Sequence, residues 1–445
     1  MPKKKTALTI EERLQQALVP AEEQPYEVPE NWVWVRLGAV CYASKEKSND
    51  FSNEIKYIGL EHLEKDKGIV GFSSADKVKS TKNAFQEGQI LYGRLRPYLN
   101  KHDIVSFSGV CSTDILVFEA SVLVANVLVD KFFNLPFFIE YVVANSKGIN
   151  LPRVSEETVL NTTFPLPPLL EQQRIVERIE ELFAKLDEAK ERLQEVANSF
   201  AVRKAAILHK AFTGELTKQW RRENGVSDES WEEKKLGEIC KIGSGGTPSR
   251  KHAEYYNGNI PWIKTGELAW NVITEAEEYI TEEAVLNSSA KMHCAGSVLV
   301  AMYGQGLTRG KAAILGINAT TNQAVCALKP LELLMSEFLF YYFMKNYWQF
   351  REEAVGGNQP NYSAKMISSW SISLPTLPEQ HEIVRLIDDL LARERKAQQA
   401  AEQALASIDL MKKSILARAF RGELGTNKAS EASAMELLRQ VLAEN

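Results

Sequence analysis

The sequence predicts an α/β protein in which two similar α/β domains are separated by a long antiparallel two-helix coiled coil. We expect an internal repeat with a pseudo-twofold axis. Two observations carry this prediction. One long stretch occurs twice without a gap, and both copies have the apolar spacing of a long helix. The segments that precede the two copies are also related, although more distantly.

The repeated stretch runs over Leu166–Thr217 and returns from Leu374. Equivalent residues are 208 positions apart, as Glu171 and Glu379 are (379 − 171). Self-similarity at a fixed period is the signature of a repeated architecture. If about forty residues of each copy are helical, a rise of 1.5 Å per residue gives a rod of roughly 60 Å.

Both copies carry a heptad stripe of apolar residues, which is the pattern of a helix in a coiled coil. Each stripe has a single break, at Arg203 in the first copy and at Glu394 in the second. Prolines precede each copy, and Gly214 or Gly422 follows it, so both helices have start and stop signals. The stripes consist of Ile175, Ile179, Leu182, Leu186, Ala189, Leu193, Val196, Phe200 and Ile207, and of Ile383, Ile387, Leu390, Ala397, Ala401, Ala404, Ile408, Met411 and Ile415.

The two stripes differ in side-chain size at their middle. Leu193 and Val196 in the first copy correspond to Ala401 and Ala404 in the second. Large residues opposite small ones favour pairing of the two helices within one chain, and we hypothesise that this pairing is antiparallel. The pair would then be a spacer with one domain at each end. Two exposed helices that dimerise separately are the alternative.

The rest of the chain divides around these helices. The predicted segments are a polar arm at 1–27 with a short amphipathic helix, a first domain at 28–165, a helix at 166–213, a linker at 214–229, a second domain at 230–373, a helix at 374–421 and a tail at 422–445. In the first domain, alternation of apolar and polar residues predicts strands that begin near Trp32, Lys56, Gly88 and Thr113. A helix is predicted at 135–144.

The second domain is a diverged copy of the first. Trp231 corresponds to Trp32 at an offset of 199 (231 − 32), and Gly296 corresponds to Gly88 at an offset of 208 (296 − 88). The framework therefore recurs, while the loops differ in length and chemistry. Such a pair of domains suits a molecule with two different recognition sites.

Composition narrows the class of protein. The 445 residues carry a formal net charge of −5, which argues against a simple binder of polyanions, although the Glu-rich helices lower this average. No apolar run is long enough to span a membrane, and the start has no signal-peptide pattern. The five cysteines include no C-x-x-C pair, so we expect reduced, buried thiols and a cytoplasmic protein.

Motifs for catalysis are missing from the sequence. The glycine-rich stretch 243–249 lacks the Lys-Ser/Thr that holds a nucleotide phosphate, and at Gly310-Lys311 an alanine follows in place of the hydroxyl. The histidines are scattered without the spacing of metal ligands. We therefore expect neither a catalytic centre nor a metal site in this chain.

Side chains suited to contacts with nucleic acid cluster in loops at equivalent places of the two domains. Residues 92–101 and 303–311 each follow a predicted strand and interleave cations, aromatic residues and amides. Arginine and lysine can bind guanine edges or phosphates, and asparagine and glutamine pair with adenine. Ordinary solvated loops are the alternative for each stretch alone. The candidate DNA-binding residues lie in these two loops and elsewhere in the two domains. They are Lys77, Lys79, Arg94, Arg96, Tyr98, Asn100, Lys101, Ser249, Arg250, Lys264, Tyr303, Gln305, Thr308, Arg309, Lys311, Asn358, Gln359 and Asn361.

The doubled pattern Leu-Pro-x-Leu-x-Glu-Gln-x-x-Ile-Val, at 166–176 and 374–384, resembles specificity subunits of type I restriction–modification systems. The stretches Ala-Phe-Thr-Gly-Glu-Leu at 211–216 and Ala-Phe-Arg-Gly-Glu-Leu at 419–424 are similar to that family too. So are Gly-Gly-Thr-Pro-Ser and Gly-Asn-Gln-Pro-Asn-Tyr-Ser in the second domain, whereas the first domain has Gly-Ile-Asn-Leu-Pro at 148–152. The resemblance covers nearly the whole chain.

The resemblance implies a DNA-binding chain without catalytic activity. The domains at 28–165 and 230–373 would be target recognition domains, each reading one half of a split, asymmetric site in double-stranded DNA. The helices would set the gap between the halves. Two modification subunits would dock on the helices and carry S-adenosylmethionine and adenine methylation, and motor–nuclease restriction subunits would cleave unmodified DNA. The candidate docking residues are Glu171, Gln172, Phe212, Glu379, Gln380 and Phe420.

Three other interpretations differ from this one in what the chain would bind or catalyse. A specificity subunit of another multi-subunit restriction system would have the same layout. A coiled-coil adaptor that does not bind DNA would predict similar loops in the two domains, whereas here the loops diverge. A fused methyltransferase or nuclease would need a cofactor motif. For the repeated Glu-Gln pairs, capping of the helix N-terminus is an alternative to subunit docking.

Overall fold

The computed structural model describes residues 8–49, 51–304, 306–353 and 361–444, without the side chains of Lys77 and Glu353. It divides into two compact units. Unit 1 comprises residues 1–193 and 403–445, and unit 2 comprises residues 194–402. The division falls inside two long helices, so each unit contains one part of each helix.

Helices of very different length occur in the described ranges. They are α1 (Ile10–Ala17), α2 (Asn126–Phe132), α3 (Pro136–Ala144), α4 (Glu156–Leu160), α5 (Leu169–Phe212), α6 (Lys218–Glu223), α7 (Leu236–Ile239), α8 (Glu282–Leu286), α9 (Ser336–Glu353), α10 (Ala364–Ser369), α11 (Leu377–Ala419) and α12 (Ala434–Glu444). The two predicted long helices are α5, with 44 residues, and α11, with 43. Among the described residues, no helix combines the length and apolar content that crossing a membrane requires.

The strands are short. Unit 1 contains β1 (Val33–Arg36), β2 (Cys41–Ala43), β3 (Lys47–Ser48), β4 (Lys56–Ile58), β5 (Leu63–Glu64), β6 (Gly68–Ile69), β7 (Ser73–Ser74), β8 (Lys82–Phe85), β9 (Ile90–Gly93), β10 (His102–Ile104), β11 (Gly109–Cys111), β12 (Ile115–Ala120) and β13 (Thr163–Leu166). Unit 2 contains β14 (Glu232–Lys235), β15 (Cys240–Ser244), β16 (Tyr256–Ile263), β17 (Val272–Ile273), β18 (Tyr279–Ile280), β19 (Met292–His293), β20 (Val298–Ala301), β21 (Ala312–Leu315), β22 (Ala319–Thr321), β23 (Val325–Pro330) and β24 (Ser371–Leu374).

The sheets of the two units repeat one plan. In unit 1 the orders are β10-β9-β12-β2 and β3-β8-β11-β4-β7, with β1 paired to β13. In unit 2 they are β15-β23-β20-β21-β17 and β18-β16-β22-β19, with β14 paired to β24. The register repeats as well, because Val33 faces Leu166 and Glu232 faces Leu374. Most pairs are antiparallel, and one parallel pair recurs, as β4 with β11 and as β16 with β22.

Each unit has a core to which a domain and both long helices contribute. In unit 1, Phe164 of β13 and Ile175 of α5 lie in one cluster with Phe420, which directly follows α11. In unit 2 the corresponding cluster contains Ile383 of α11 and Leu208 of α5. Burial of these side chains stabilises each unit by roughly 1.5–3 kcal/mol per fully buried residue. The long helices are therefore part of the domain cores.

Ion pairs show the direction of the helix pairing. In unit 1, Lys190 Nζ lies 3.4 Å from Asp409 Oδ1, and Lys412 Nζ lies 2.6 Å from Asp187 Oδ1. Residue numbers fall along α11 as they rise along α5, so the helices run antiparallel. Two predicted stripe positions lie open to solvent, since Val196 and Met411 are 43% and 50% exposed. A pair of helices covers only a narrow stripe of each partner, which explains this departure.

The two breaks in the apolar stripes contact each other. In unit 2, Arg203 Nε donates to Glu394 Oε2 at 2.9 Å, and the guanidinium lies 4.5 Å from the ring centroid of Phe200. A shift by one heptad would place Arg203 against Ile387 or Ala401, where the guanidinium has no carboxylate partner. Polar residues at seam positions specify helix register in this way, at some cost in stability.

Substitution of Arg203 by Glu should destabilise unit 2, and so should substitution of Glu394 by Arg. The double variant R203E/E394R should regain most of the loss, because the pair is restored with reversed charges. We expect a coupling energy of about 1 kcal/mol in urea unfolding of the full chain. The more exposed pair of Lys190 and Asp409 is the control, and should show less coupling. Additive effects of the two single variants would contradict a direct interaction.

Candidate nucleic-acid interface

The first candidate loop, residues 94–101, joins β9 to β10 in unit 1. Main-chain hydrogen bonds tie it to the segment 152–154: the Arg96 N–H donates to the Pro152 carbonyl at 2.7 Å, and the Val154 N–H donates to the Arg94 carbonyl at 3.0 Å. The structure thus brings together two stretches that the sequence singled out separately. Arg96 and Asn100 have φ of 53° and 43°, so the loop is tightly curved at both residues.

The predicted side chains of this loop divide into two groups. Asn100 Nδ2 donates to the Phe133 carbonyl at 3.0 Å, and Lys101 Nζ donates to the Leu60 carbonyl at 3.1 Å, so both fix the loop to its own domain. Arg94 is half-buried. Arg96 is exposed and Tyr98 is 50% exposed. The loop therefore presents Arg96 and Tyr98 to solvent.

Upstream of this loop, Lys79 is exposed at a shallow pocket of about 320 Å³. Tyr57, Ser74 and Lys82 line the same pocket. Two lysines beside hydroxyl groups form a surface that can hold a phosphate. The side chain of Lys77, which was predicted with Lys79, lies outside the described residues.

The second candidate loop, residues 303–311, joins β20 to β21 in unit 2. Tyr303, Thr308, Arg309 and Lys311 are all half-buried, and Arg309 Nη2 donates to the Arg351 carbonyl of α9 at 3.3 Å. The predicted residues Gln305, Asn358 and Gln359 lie outside the described residues. Asn361, which follows them, is exposed.

Two predicted cations of unit 2 are neutralised within the chain. Arg250 Nη1 and Nη2 lie 2.5 Å and 3.1 Å from the two carboxylate oxygens of Glu278, and the guanidinium lies 4.2 Å from the ring centroid of Tyr256. The Arg250 guanidinium holds the pKa of Glu278 below its ordinary value. Lys264 Nζ lies 3.3 Å from Glu277 and 3.5 Å from Glu278. The neighbouring Ser249 is exposed. A DNA phosphate would compete with these carboxylates for Arg250 and Lys264.

The first residues predicted for subunit docking form a buried contact in unit 1. Glu171, in the first turn of α5, has no exposed surface. Trp32 Nε1 and Asn427 Nδ2 donate to its Oε2 at 2.7 Å and 2.8 Å, and Thr426 Oγ1 donates to its Oε1 at 3.0 Å. Three donors satisfy a charge that would otherwise be costly to bury. The contact joins the first domain, α5 and the C-terminal tail.

Unit 2 contains the same contact with different donors. Glu379, in the first turn of α11, is also fully buried. Thr217 Oγ1 and Arg221 Nη1 each donate to its Oε1 at 2.7 Å, and Trp231 Nε1 donates to its Oε2 at 3.1 Å. Here two of the three donors come from the segment after α5, whereas in unit 1 two of the three come from the C-terminal tail. We call these two buried carboxylates and their donors the glutamate latches.

The neighbouring glutamines and the two phenylalanines complete the latches. Gln172 Oε1 accepts from the Ala125 N–H at 3.2 Å, and Gln380 Oε1 accepts from the Met335 N–H at 2.9 Å. Phe420 is fully buried, with its ring centroid 5.8 Å from that of Phe132, and Phe212 is half-buried, 4.8 Å from Phe338. These contacts give the repeated residues a role inside the chain. Docking of a partner through them stays a prediction.

Sequence reasoning missed the donors of the latches and the helix side chains that hold the second loop. Thr426 and Asn427 lie more than 250 positions from Glu171 in the chain. Trp32 and Trp231 were aligned as repeated residues, so their pairing with the repeated glutamates could have been inferred. The sequence repeat gave no comparable signal for Arg351.

Two stretches, residues 29–198 and 228–403, match the family model for the type I restriction modification DNA specificity domain. The chain belongs to this family. The type I restriction enzyme EcoDI specificity subunit of Escherichia coli is 35% identical over 210 residues, which are 44% of this chain and 45% of that protein. The MjaVIII specificity subunit of Methanocaldococcus jannaschii is 25% identical over 409 residues, 86% of this chain and 92% of that protein.

Among solved structures, the HsdS subunit from Thermoanaerobacter tengcongensis shares the fold, with a TM-score of 0.68 and 23% identity over 90% of this chain and 99% of that chain. The doubled family match and this shared fold confirm the predicted fold class. For three relatives of at least 30% identity, the aligned region spans less than half of their length.

Substitution of Glu171 by Gln should destabilise unit 1 by about 2–4 kcal/mol, because the amide cannot accept from all three donors. Glu379→Gln should cost unit 2 about as much or more, since Arg221 loses a buried partner. Urea unfolding followed by tryptophan fluorescence measures both. The exposed Glu181→Gln is the matched control and should stay within about 0.5 kcal/mol of the wild type. Equal small effects at all three positions would contradict the importance of the latches.

Proposed function

We propose that this chain is the DNA-specificity subunit of a type I restriction–modification complex. Each target recognition domain reads one half of a bipartite, asymmetric site in double-stranded DNA. One observation supports this most directly. The two units share strand order, register and latch, while the loops at 94–101 and 303–311 share position but differ in sequence and in which side chains are exposed. A repeated frame with different loops suits the reading of two different half-sites.

The loop chemistry fits base and phosphate contacts. In unit 1, an exposed arginine and a half-exposed tyrosine stand on one loop, with a lysine-lined pocket elsewhere in the same domain. Lysine and arginine neutralise phosphates and give affinity, while arginine on a guanine edge gives sequence preference. A net charge of −5 for the whole chain is compatible with this role if the partner subunits supply part of the positive surface.

We assign DNA methylation and cleavage to partner subunits of the complex. The relatives are specificity subunits of type I restriction enzymes. We propose that this chain is not itself catalytic and that it acts in the cytoplasm. Two modification subunits would dock on α5 and α11 and hold S-adenosylmethionine for adenine methylation. Restriction subunits would add the motor and nuclease. The paired helices would act as the spacer between half-sites.

The test is co-expression with the cognate modification subunit, followed by single-molecule sequencing of host DNA to map methylated adenines. The proposal expects one split, asymmetric motif with a fixed gap. Methylation at a continuous motif would contradict the two-domain reading. A stable complex without methylation would favour an adaptor or a domain that has lost its target.

Substitution of Arg96 by Ala should relax specificity in one half of the motif only, at a cost of about 1–3 kcal/mol if the guanidinium contacts a base. A loss that is equal on all sequences and has a shallower salt dependence would indicate a phosphate contact instead. Competition binding against single-base variants of the site separates the two. Arg178→Ala, on an exposed face of α5, is the control and should leave both half-sites unchanged.

Substitutions at Arg94 and Arg309 are predicted to act differently from Arg96. Both side chains are half-buried, and Arg309 already donates to a main-chain carbonyl. Their replacement by Ala should relax the half-site of their own domain, through contact with a base or through the shape of the loop. Unchanged discrimination in both would exclude the two arginines from recognition.

A further inference from the structure

The two candidate loops share one main-chain contact and differ in the side chains that hold them. In unit 2 the Tyr362 N–H donates to the Met302 carbonyl at 2.9 Å, as the Val154 N–H donates to the Arg94 carbonyl in unit 1. In unit 2, side chains of α9 also bind the main chain of residues 306–311. Tyr347 Oη donates to the Leu307 carbonyl at 2.5 Å. One helical turn later, Arg351 contacts the same loop.

Arg351 binds two main-chain carbonyls of the loop at once. Its Nη1 donates to the Arg309 carbonyl at 2.6 Å, and its Nη2 donates to the Gly306 carbonyl at 2.9 Å. In return, Arg309 Nη2 donates to the Arg351 carbonyl at 3.3 Å. The Arg351 guanidinium also lies 5.4 Å from the ring centroid of Tyr347. The planar fork of a guanidinium fixes two acceptors in one geometry, which a lysine ammonium does not.

The loop needs such support because of its glycines. Gly306 and Gly310 have φ of 57° and 84°, a region that glycine adopts at little cost but in which its freedom is lost on folding. A Cβ atom at Gly310 would lie 3.4 Å from the ring of Tyr347, so the main chain is packed closely on α9. A flexible loop that reads DNA loses affinity when it must be ordered on binding, and contacts that order it beforehand reduce this loss.

We propose that Arg351 is a positioning residue for DNA recognition by the second domain: it orders the loop 306–311 and fixes the direction of the Arg309 side chain. This inference rests on the proposed function. Arg351 acts through Arg309 and need not contact DNA itself. Arg351 holds the loop of unit 2, whereas contacts within unit 1 hold the first loop, so removal of Arg351 affects one half-site only.

The first experiment measures the loop without DNA. Amide hydrogen exchange of the full chain is compared between wild type, Arg351→Gln and Arg351→Lys. Exchange in 306–311 is expected to accelerate about tenfold or more in R351Q and less in R351K, with the strands of unit 2 unchanged. Arg385→Gln removes an equal charge from an exposed pair on α11 and should change nothing. Unchanged exchange in R351Q overturns the positioning role.

The second experiment uses the complex with its modification subunit. In R351Q, discrimination against single-base variants of the second half-site should fall about tenfold, while discrimination at the first half-site is retained. Tyr347→Phe, which deletes one hydrogen bond to Leu307, should give a smaller effect in the same direction and guards against misfolding of R351Q. Equal loss at both half-sites, or no loss, overturns the inference.

The two experiments separate this inference from the proposed function. If wild-type protein yields no split motif, the proposed function fails, and the exchange rates alone decide whether Arg351 orders the loop. If the split motif is present but R351Q reads both halves as the wild type does, the proposed function stands and the role of Arg351 in recognition is refuted.

Discussion

Each of the two units contains one buried carboxylate that joins its domain to the long helices. Glu171 and Glu379 stand in the first turns of the long helices, fully buried, and each accepts hydrogen bonds from an indole and a hydroxyl. A third donor comes from an asparagine in unit 1 and from an arginine in unit 2. A buried charge is tolerated only when its donors are all in place. Each latch therefore requires a domain, the start of one helix and the segment after the end of the other to fold together.

This constraint explains how recognition can vary while the frame stays the same. The latches use residues at strand, helix and linker positions, and the glutamines beside them accept from main-chain amides. None of these contacts uses a side chain that the structure describes in the loops at 94–101 and 303–311. Exposed loop residues such as Arg96 and Tyr98 can change without loss of the latches, which suits a protein that reads two different half-sites. Under the proposed function, the residues that stabilise each unit and the residues that read DNA would be different.

The fold was predictable because the two sequence patterns that indicate it, the repeat and the heptad stripe, are regular. A gapless repeat and a heptad stripe do not depend on distant contacts, and even the two breaks, Arg203 and Glu394, marked a contact. The loop positions followed from the strands before them. The contacts of individual side chains were harder to predict from the sequence. Arg250 was predicted to be available for DNA, yet it forms an ion pair with Glu278. Likewise, Arg351 is 42 positions from the Arg309 carbonyl that it holds. Such contacts arise only from the tertiary fold.

Exchange of one domain tests the central claim most directly. Residues 236–370 lie between β14 and β24, so their replacement by the corresponding segment of a relative with another target leaves Trp231, Glu379 and both strands in place. Methylated adenines are then mapped in cells that also express the modification subunit. The account predicts a motif in which one half is new, while the other half is that of the original protein. A motif changed in both halves, or unchanged in both, would contradict the assignment of one half-site to each domain.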